Sequence, residues 1–273
     1  MSGSYNGECN EKLALDQNAL ESAYVLLKEE VFSIIRESLT IVPWKPESLR
    51  HAVNAIVEQE KEDEKYGLGV PSGNIVSSRP KKWKELWKDT VMESVTARMK
   101  DPPFTDTSKD LSAVWRSFLH MGKTMKEDMI TVVQDIQQYY PQPFNVCCTY
   151  AECYHRYFSS QLETVAQFEL GDKDTYLLLN WVQNIYPNQI RNHPILVKEL
   201  DKAELGSLLP PQDIKQLEAT YLVNEVAFVK NCLTRSLEME VKWWAKEAEP
   251  RMLDGCFHSE LAIDVTQVRE ISC

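Results

Sequence analysis

The chain has 273 residues, 43% of them hydrophobic, and a net charge of −11 from 30 Lys and Arg against 41 Asp and Glu. That length and apolar content suffice for one large or two modest domains, and the acidic balance argues against nucleic acid as the main partner. Only nine glycines occur, which disfavours the glycine-clustered phosphate loops of nucleotide sites, and no run of 18 apolar residues is present to span a bilayer.

No apolar signal-type segment follows Met1, and the seven cysteines are odd in number and irregularly spaced. Reduced thiols in a cytosolic chain are the simplest account. Leu13, Leu20, Tyr24, Leu27, Val31 and Ile34 mark a first long helix, closed by Pro43 and Pro46. Residues 1–46 are therefore expected to form an N-terminal helix and linker, ahead of a helical body over 47–273. Leu49, Val53 and Ile56 begin a second helix that runs into the charged EQEKEDEKY. The stretch GLGVPSGNIVSSRP, Gly67 to Pro80, is expected to be a flexible loop at 67–80. Its glycines are spaced one residue too widely for the dinucleotide fingerprint, and it lacks the Lys-Ser/Thr ending of a P-loop.

RPKKWKELWKD follows, with Arg79, Lys81, Lys82, Lys84 and Lys88 gathered against Glu85 on an otherwise acidic protein. Trp83 and Trp87 lie at i and i+4 and are read as core. The lysines fit either a face for anionic lipid or a solvated rim. From Thr107 to Tyr140, Leu111, Trp115, Phe118, Gly122, Met125, Met129, Val132, Ile136 and Tyr139 step by alternating fours and threes. That stripe predicts one helix of about 30 residues, opened by a capping box at Thr107 and Asp110 and ended by Pro141. Cys147, Ala151, Tyr154, Phe158, Leu162 and Val165 mark the next helix. In YLLLNWVQNIYP, Leu178, Trp181, Val182 and Ile185 fall at i, i+3, i+4 and i+7, one apolar face of a short helix packed in the core. Ile214, Leu217, Tyr221, Phe228, Cys232, Met239 and Trp243 mark a last long helix launched by Pro210 and Pro211. Core packing is thus expected of Trp83, Trp115, Phe118, Trp181, Ile185 and Trp243. From Arg251 onward the periodicity is mixed. The expected fold is all-α, an antiparallel stack of helical bundles.

The search for reactive constellations returns nothing. Cys147, Cys148, Cys153 and His155 crowd into CCTYAECYH, but on a helix, at about 100° per residue, they cannot converge on a tetrahedral metal. No His has a Ser or Cys partner in a nucleophile motif. Glu152 with His155 is the only Glu-x-x-His pair, where a bundle di-metal site needs two. The sequence points to no catalytic residue, no metal site and no cofactor.

RPKKWKELW, LLLNWVQNIYP, LLPPQDIKQLEATYL and EVKWWAKEAEP, followed by DGCFHSELAIDV, resemble in that order the exocyst complex component 3 (Sec-six) family. The closest branch is the tumour-necrosis-factor-alpha-induced and exocyst-component-3-like proteins. The resemblance runs from about Glu47 to Val265. It implies an elongated rod of helical bundles without catalytic residues, cytoplasmic and peripheral at the plasma membrane, that tethers secretory vesicles in exocytosis. Its implied partners are other exocyst subunits, SNARE proteins, a Ral-type small GTPase and phosphoinositide membrane, with no nucleic acid. Family members are longer, so the chain is expected to carry the N-terminal part of the rod. A scaffold is thus set against a small helical-bundle enzyme or metal-binding protein, and against a competing or non-functional fragment of a longer member.

Overall fold

The computed structural model describes residues 5–67, 80–100, 113–168, 170–246 and 252–257, with positions 259, 261 and 263, and at 5–17, 67, 113, 114 and 257 the backbone only. Residues 68–79 of the expected loop, Arg79 among them, the Thr107–Asp110 capping box, Leu111 and most of the segment after Arg251 lie outside the described residues.

The described chain is almost wholly helical. Helix α1 spans Tyr5–Arg36, α2 Ser38–Ile41, α3 Pro46–Gly67, α4 Trp83–Met99 and α5 Ala113–Thr131. Helix α5 runs on as a π-helical stretch, Val132–Ile136, and a 3-10 turn, Gln137–Tyr139. A further 3-10 turn at Gln142–Phe144 leads to α6, Val146–Ala166, then α7, Asp172–Asn180, which widens into a π-helix over Trp181–Arg191. Short α8, Val197–Leu200, precedes α9, Pro211–Trp244. A two-residue hairpin, β1 (Met252–Leu253) with β2 (Cys256–Phe257), is the only strand pairing among the described residues.

Helix α4 is the centre of the bundle, packed against α1, α3, α5 and α6. Its buried residues Trp83, Trp87, Val91, Val95 and Met99 recur every fourth position, so a single stripe meets the surrounding helices. Phe32 from α1 meets Trp83 edge-on, ring centroids 5.6 Å apart, and Trp87 packs against Tyr140 and Phe144 at 5.5 and 5.0 Å. The Trp87 indole also donates to the Tyr140 hydroxyl at 3.2 Å, so the buried ring leaves no orphan donor. Helix α3 contributes Leu49, Val53 and Ile56, all fully buried. Asn145 makes the reversal into α6 at φ 45°, a left-handed conformation that Asn tolerates better than most residues.

Helix α5 follows its stripe closely. Phe118, Gly122, Met125, Met129, Val132 and Ile136 are all buried, Trp115 is half-buried, and helical backbone continues to Tyr139 without a break. Helix α1 departs from its stripe. It enters the core through Val31, Phe32 and Ile35, while Leu27 and its neighbours Val25 and Leu26 face solvent.

YLLLNWVQNIYP forms a helix in which Leu178, Trp181 and Val182 of the expected face are buried and Ile185 is half-buried against the core, but its second half is π-helical, and Tyr186 and, just beyond the segment, Ile190 are buried as well. Pro187 has no N–H and its ring crowds the carbonyl one turn back, so α-type bonding cannot continue there and the coil widens. The larger correction concerns α9. None of its residues is buried, and Trp243, expected in the core, is 55% exposed. Among the described residues, the N-terminal part of this helix packs on α7, through the Tyr176–Tyr221 ring contact and a hydrogen bond from Asn224 to Asp172, and accepts a hydrogen bond at Glu218 from Gln183 of the π-helix.

Candidate functional site

The basic segment is built into the fold more deeply than its charge suggests. Lys82 sits at the N-terminus of α4 with φ 53°. Its backbone N–H donates to Asp63 at 2.8 Å, and the Lys84 N–H donates to Glu60 at 3.0 Å. The acidic end of α3 therefore caps two donors that α4 cannot satisfy internally, and places negative charge at its positive dipole end. The side chains are engaged too. Lys81 binds Glu21 at 3.1 Å and lies over the Tyr24 ring, with only 15% of its side chain exposed. Lys84 donates to the Pro143 carbonyl at 3.1 Å and stands over Phe144. Lys82, paired with Glu85 at 3.4 Å, and Lys88 are solvent-facing. The structure thus divides the five residues. Two lysines fasten α4, two point outward, and Arg79 lies outside the described residues.

Three helices meet at one buried carboxylate that no local pattern announces. Asp128 of α5, 4% exposed, accepts two hydrogen bonds from Arg98 of α4, at 2.5 and 2.6 Å, and one from the Tyr154 hydroxyl of α6 at 2.5 Å. The hydrogen bond to Asp128 raises the Arg98 pKa further, and burial is the first cause that lifts that of Tyr154. The buried carboxylate is fully paired, with Arg98 one-third exposed at its edge, so the cluster fixes helix positions rather than moving protons. Nearby, His155 Nδ1 lies 2.7 Å from the Tyr186 hydroxyl. Burial, and then Arg191, lower the His155 pKa from 6.5.

The described cysteines are free thiols. Cys147 and Cys153 are buried on α6, and no group of three or more His, Cys, Asp or Glu among the described residues could hold a metal ion. Beside them opens a cleft of about 560 Å³ with Tyr140, Asn145, Cys148, Glu199 and Lys202 in its wall. Burial pushes the Cys147 thiol up to about 12 and raises Cys148 as well, the reverse of what a nucleophilic thiolate requires. Glu199 is held by Lys202 at 2.7 Å. No described helix is long and apolar enough to cross a membrane.

The aromatic seam under the π-helix Trp181–Arg191 is tight. Trp181 meets Trp115 edge-on at 6.0 Å and Phe158 at 5.6 Å, and its six-membered ring lies on Gly122. A Cβ at position 122 would stand 2.2 Å from Trp181 Cζ2, so only glycine admits the ring. Phe118 completes the seam against Phe158. In contrast, α9 presents Leu222, Val226, Leu237 and Trp244 to solvent, more apolar surface than an isolated helix face usually leaves bare.

What these surfaces define is an all-helical bundle whose prominent features are helix faces, not a cleft of converging reactive groups. The chain belongs to the exocyst complex component Sec6 family, whose model matches residues 17–270. It is 43% identical to human (Homo sapiens) tumor necrosis factor alpha-induced protein 2, over 96% of this chain and 39% of the relative, and 44% identical to the mouse (Mus musculus) protein. It is 24% identical to an exocyst complex component 3-like protein of Danio rerio over 89% of this chain. The crystal structure of M-Sec superposes with a TM-score of 0.82 at 42% identity, covering 96% of this chain and 45% of that one. The chain thus spans about two-fifths of the length of the curated relatives it matches.

Proposed function

We propose that the chain is a non-enzymatic scaffold of the exocyst type, acting in vesicle tethering during exocytosis through its helix faces. The family match over residues 17–270 carries this reading. The all-helical architecture and the exposed apolar length of α9 support it, because faces of this kind dock other helices. Its partners in this reading are exocyst subunits and SNARE proteins, with a Ral-type GTPase as a regulatory partner, and its place is cytoplasmic, peripheral at the plasma membrane. The test is direct binding of the purified chain to purified exocyst subunits and SNARE proteins, each immobilised in turn. Retention by at least one of them is expected. Retention by none refutes the scaffold reading.

The membrane contact in this reading falls on Lys82 and Lys88, since Lys81 and Lys84 are committed to Glu21 and to the Pro143 carbonyl. Two exposed lysines contribute about 1 kcal/mol each near an anionic surface and lose it as the Debye length shortens. Replacing Lys82 and Lys88 with Gln should abolish low-salt sedimentation with phosphoinositide-containing liposomes and leave helicity unchanged. Undiminished binding by this variant, or no binding by the parent, removes the membrane contact from the proposal.

A further inference from the structure

A groove of about 390 Å³ lies between α5 and the π-helix Trp181–Arg191, within the size range of small-ligand pockets. Leu119 and Ile130 line it from α5, Ile185 and Ile190 from the π-helix. From Leu119 to Ile130 the helix advances about 16 Å, enough for an extended decyl chain. Spaced by four and five, Trp181, Ile185 and Ile190 share a face only because the coil is widened there, and widened turns of this kind are frequent at functional sites. Two polar groups in this apolar setting lack partners. Trp181 is 4% exposed, and its indole N–H has no acceptor among the described residues. The ring edge that carries this nitrogen is the one that lies on Gly122, so the donor sits beside the groove. Lys126 lines the same groove, partly buried, with no carboxylate in ion-pair reach among the described residues.

We propose that this groove binds a single-chain carboxylate amphiphile, a medium-chain fatty acid. The tail lies along Leu119, Ile130 and Ile185, and the carboxylate pairs with the Lys126 ammonium. One of its oxygens accepts from the Trp181 indole, after side-chain rotations of the kind common on binding. A single anionic head thus satisfies both unpartnered groups. A phosphate head is a poorer match, because Glu127 lines the same groove and repels a second negative charge. A cationic head would meet Lys123 and Lys126 together. None of the lining residues belongs to α9 or to the basic segment of α4, so this site and the scaffold reading above can fail separately.

The test is isothermal titration calorimetry of the full chain with octanoate, decanoate and dodecanoate, each below its micelle concentration. A single saturable site is expected, with affinity rising about two- to fourfold per methylene. Decyltrimethylammonium, with the same tail as decanoate and the opposite charge, should bind at least about tenfold more weakly. Lys126→Gln should weaken decanoate by about tenfold. Leu119→Glu, at a position 41% exposed, sets a carboxylate in the groove and should abolish binding, with far-UV circular dichroism as the control for folding. In nitrogen–proton correlation spectra the indole signal of Trp181, assigned by its loss in Trp181→Phe, should shift when decanoate is added to the parent. No saturable binding, equal binding of the cationic amphiphile, undiminished binding by folded Lys126→Gln or Leu119→Glu, or a Trp181 signal that stays in place would each overturn the proposal.

Discussion

Gly122→Ala is a substitution that helix chemistry alone would recommend, and the structure predicts the opposite sign. In a helix interior, Ala is favoured over Gly by about 1 kcal/mol. Here the new methyl would stand 2.2 and 2.4 Å from Cζ2 and Cη2 of Trp181, whereas carbon atoms rest at about 3.5–4.0 Å. The ring must retreat by more than about 1 Å, and it cannot do so cheaply, because Trp115 and Phe158 hold its other faces. Overpacking of this kind costs about 1–3 kcal/mol, and a clash this deep belongs at the upper end. The net expectation is a loss of about 1–2 kcal/mol. Trp181→Ala should itself cost about 3–5 kcal/mol. In that background the space is open and Gly122→Ala should stabilise by about 0.5–1 kcal/mol. The assay is urea unfolding of the four proteins followed by far-UV circular dichroism, with m-values compared. A stabilising Gly122→Ala in the parent, or the same sign in both backgrounds, would refute the reasoning.

Asp128→Asn keeps the shape of the buried carboxylate and removes its charge. Because Arg98 is one-third exposed, the loss should be about 2–4 kcal/mol in urea unfolding rather than the full cost of a buried unpaired ion, and a change within error would contradict the cluster. Thiol accessibility should divide the cysteines. Iodoacetamide at pH 8, read by peptide mass spectrometry on the native chain, should label exposed Cys256 and spare Cys147 and Cys153, whose thiols burial pushes up to about 12 and about 11. Prompt labelling of Cys147 would place it outside the core. His155 has a folded pKa below 6.5, so the unfolded chain binds the proton more readily. Its neutral form stabilises above pH 6.5, and that contribution is lost as the pH falls through the depressed pKa. The stability of His155→Gln should therefore fall less steeply with acidification below pH 6.5, and parallel curves would show that the ring does not titrate this way.

How far the sequence reveals this fold depends on how nearly each helix is an ordinary α-helix with neighbours. Leu49, Val53 and Ile56, and the stripe from Phe118 to Ile136, are buried as their spacing predicts, because 100° per residue describes those segments. The same rule fails after Trp181. In a π-helix, with about 4.4 residues per turn, each residue advances only about 82°. Tyr186 and Ile190 then return to the side of Trp181, whereas in an α-helix Ile190 would point to the opposite side. Helix α9 fails for another reason. A stripe tells which side of a helix is apolar and not whether anything covers it, so Trp243 reads as core and, like Phe228 and Met239 on the same stripe, is largely exposed. Arg98 and Asp128 leave no local signal, since each is one ordinary polar residue on its own helix, and Tyr154 is legible only as a stripe residue of α6, not as a donor to a carboxylate. For the same reason EQEKEDEKY looks like a solvated run until α4 is set against it and Glu60 and Asp63 meet its first N–H groups.

The carboxylate shared by α4, α5 and α6 also has a mechanical meaning. Its three hydrogen bonds lie across the helix boundaries, between segments that apolar packing alone would let slide. Displacing α4 along its axis by one turn, about 5.4 Å, would break both bonds from Arg98 together, and moving α6 would break the one from Tyr154. Hydrophobic contacts can re-form after such a step, because one stripe residue replaces the next. A fixed charge pair cannot. Asp128 therefore works as a shear pin. A load applied along the helices at one end of the bundle is carried to the other as displacement of a stiff body, and is not dissipated by slippage between its helices.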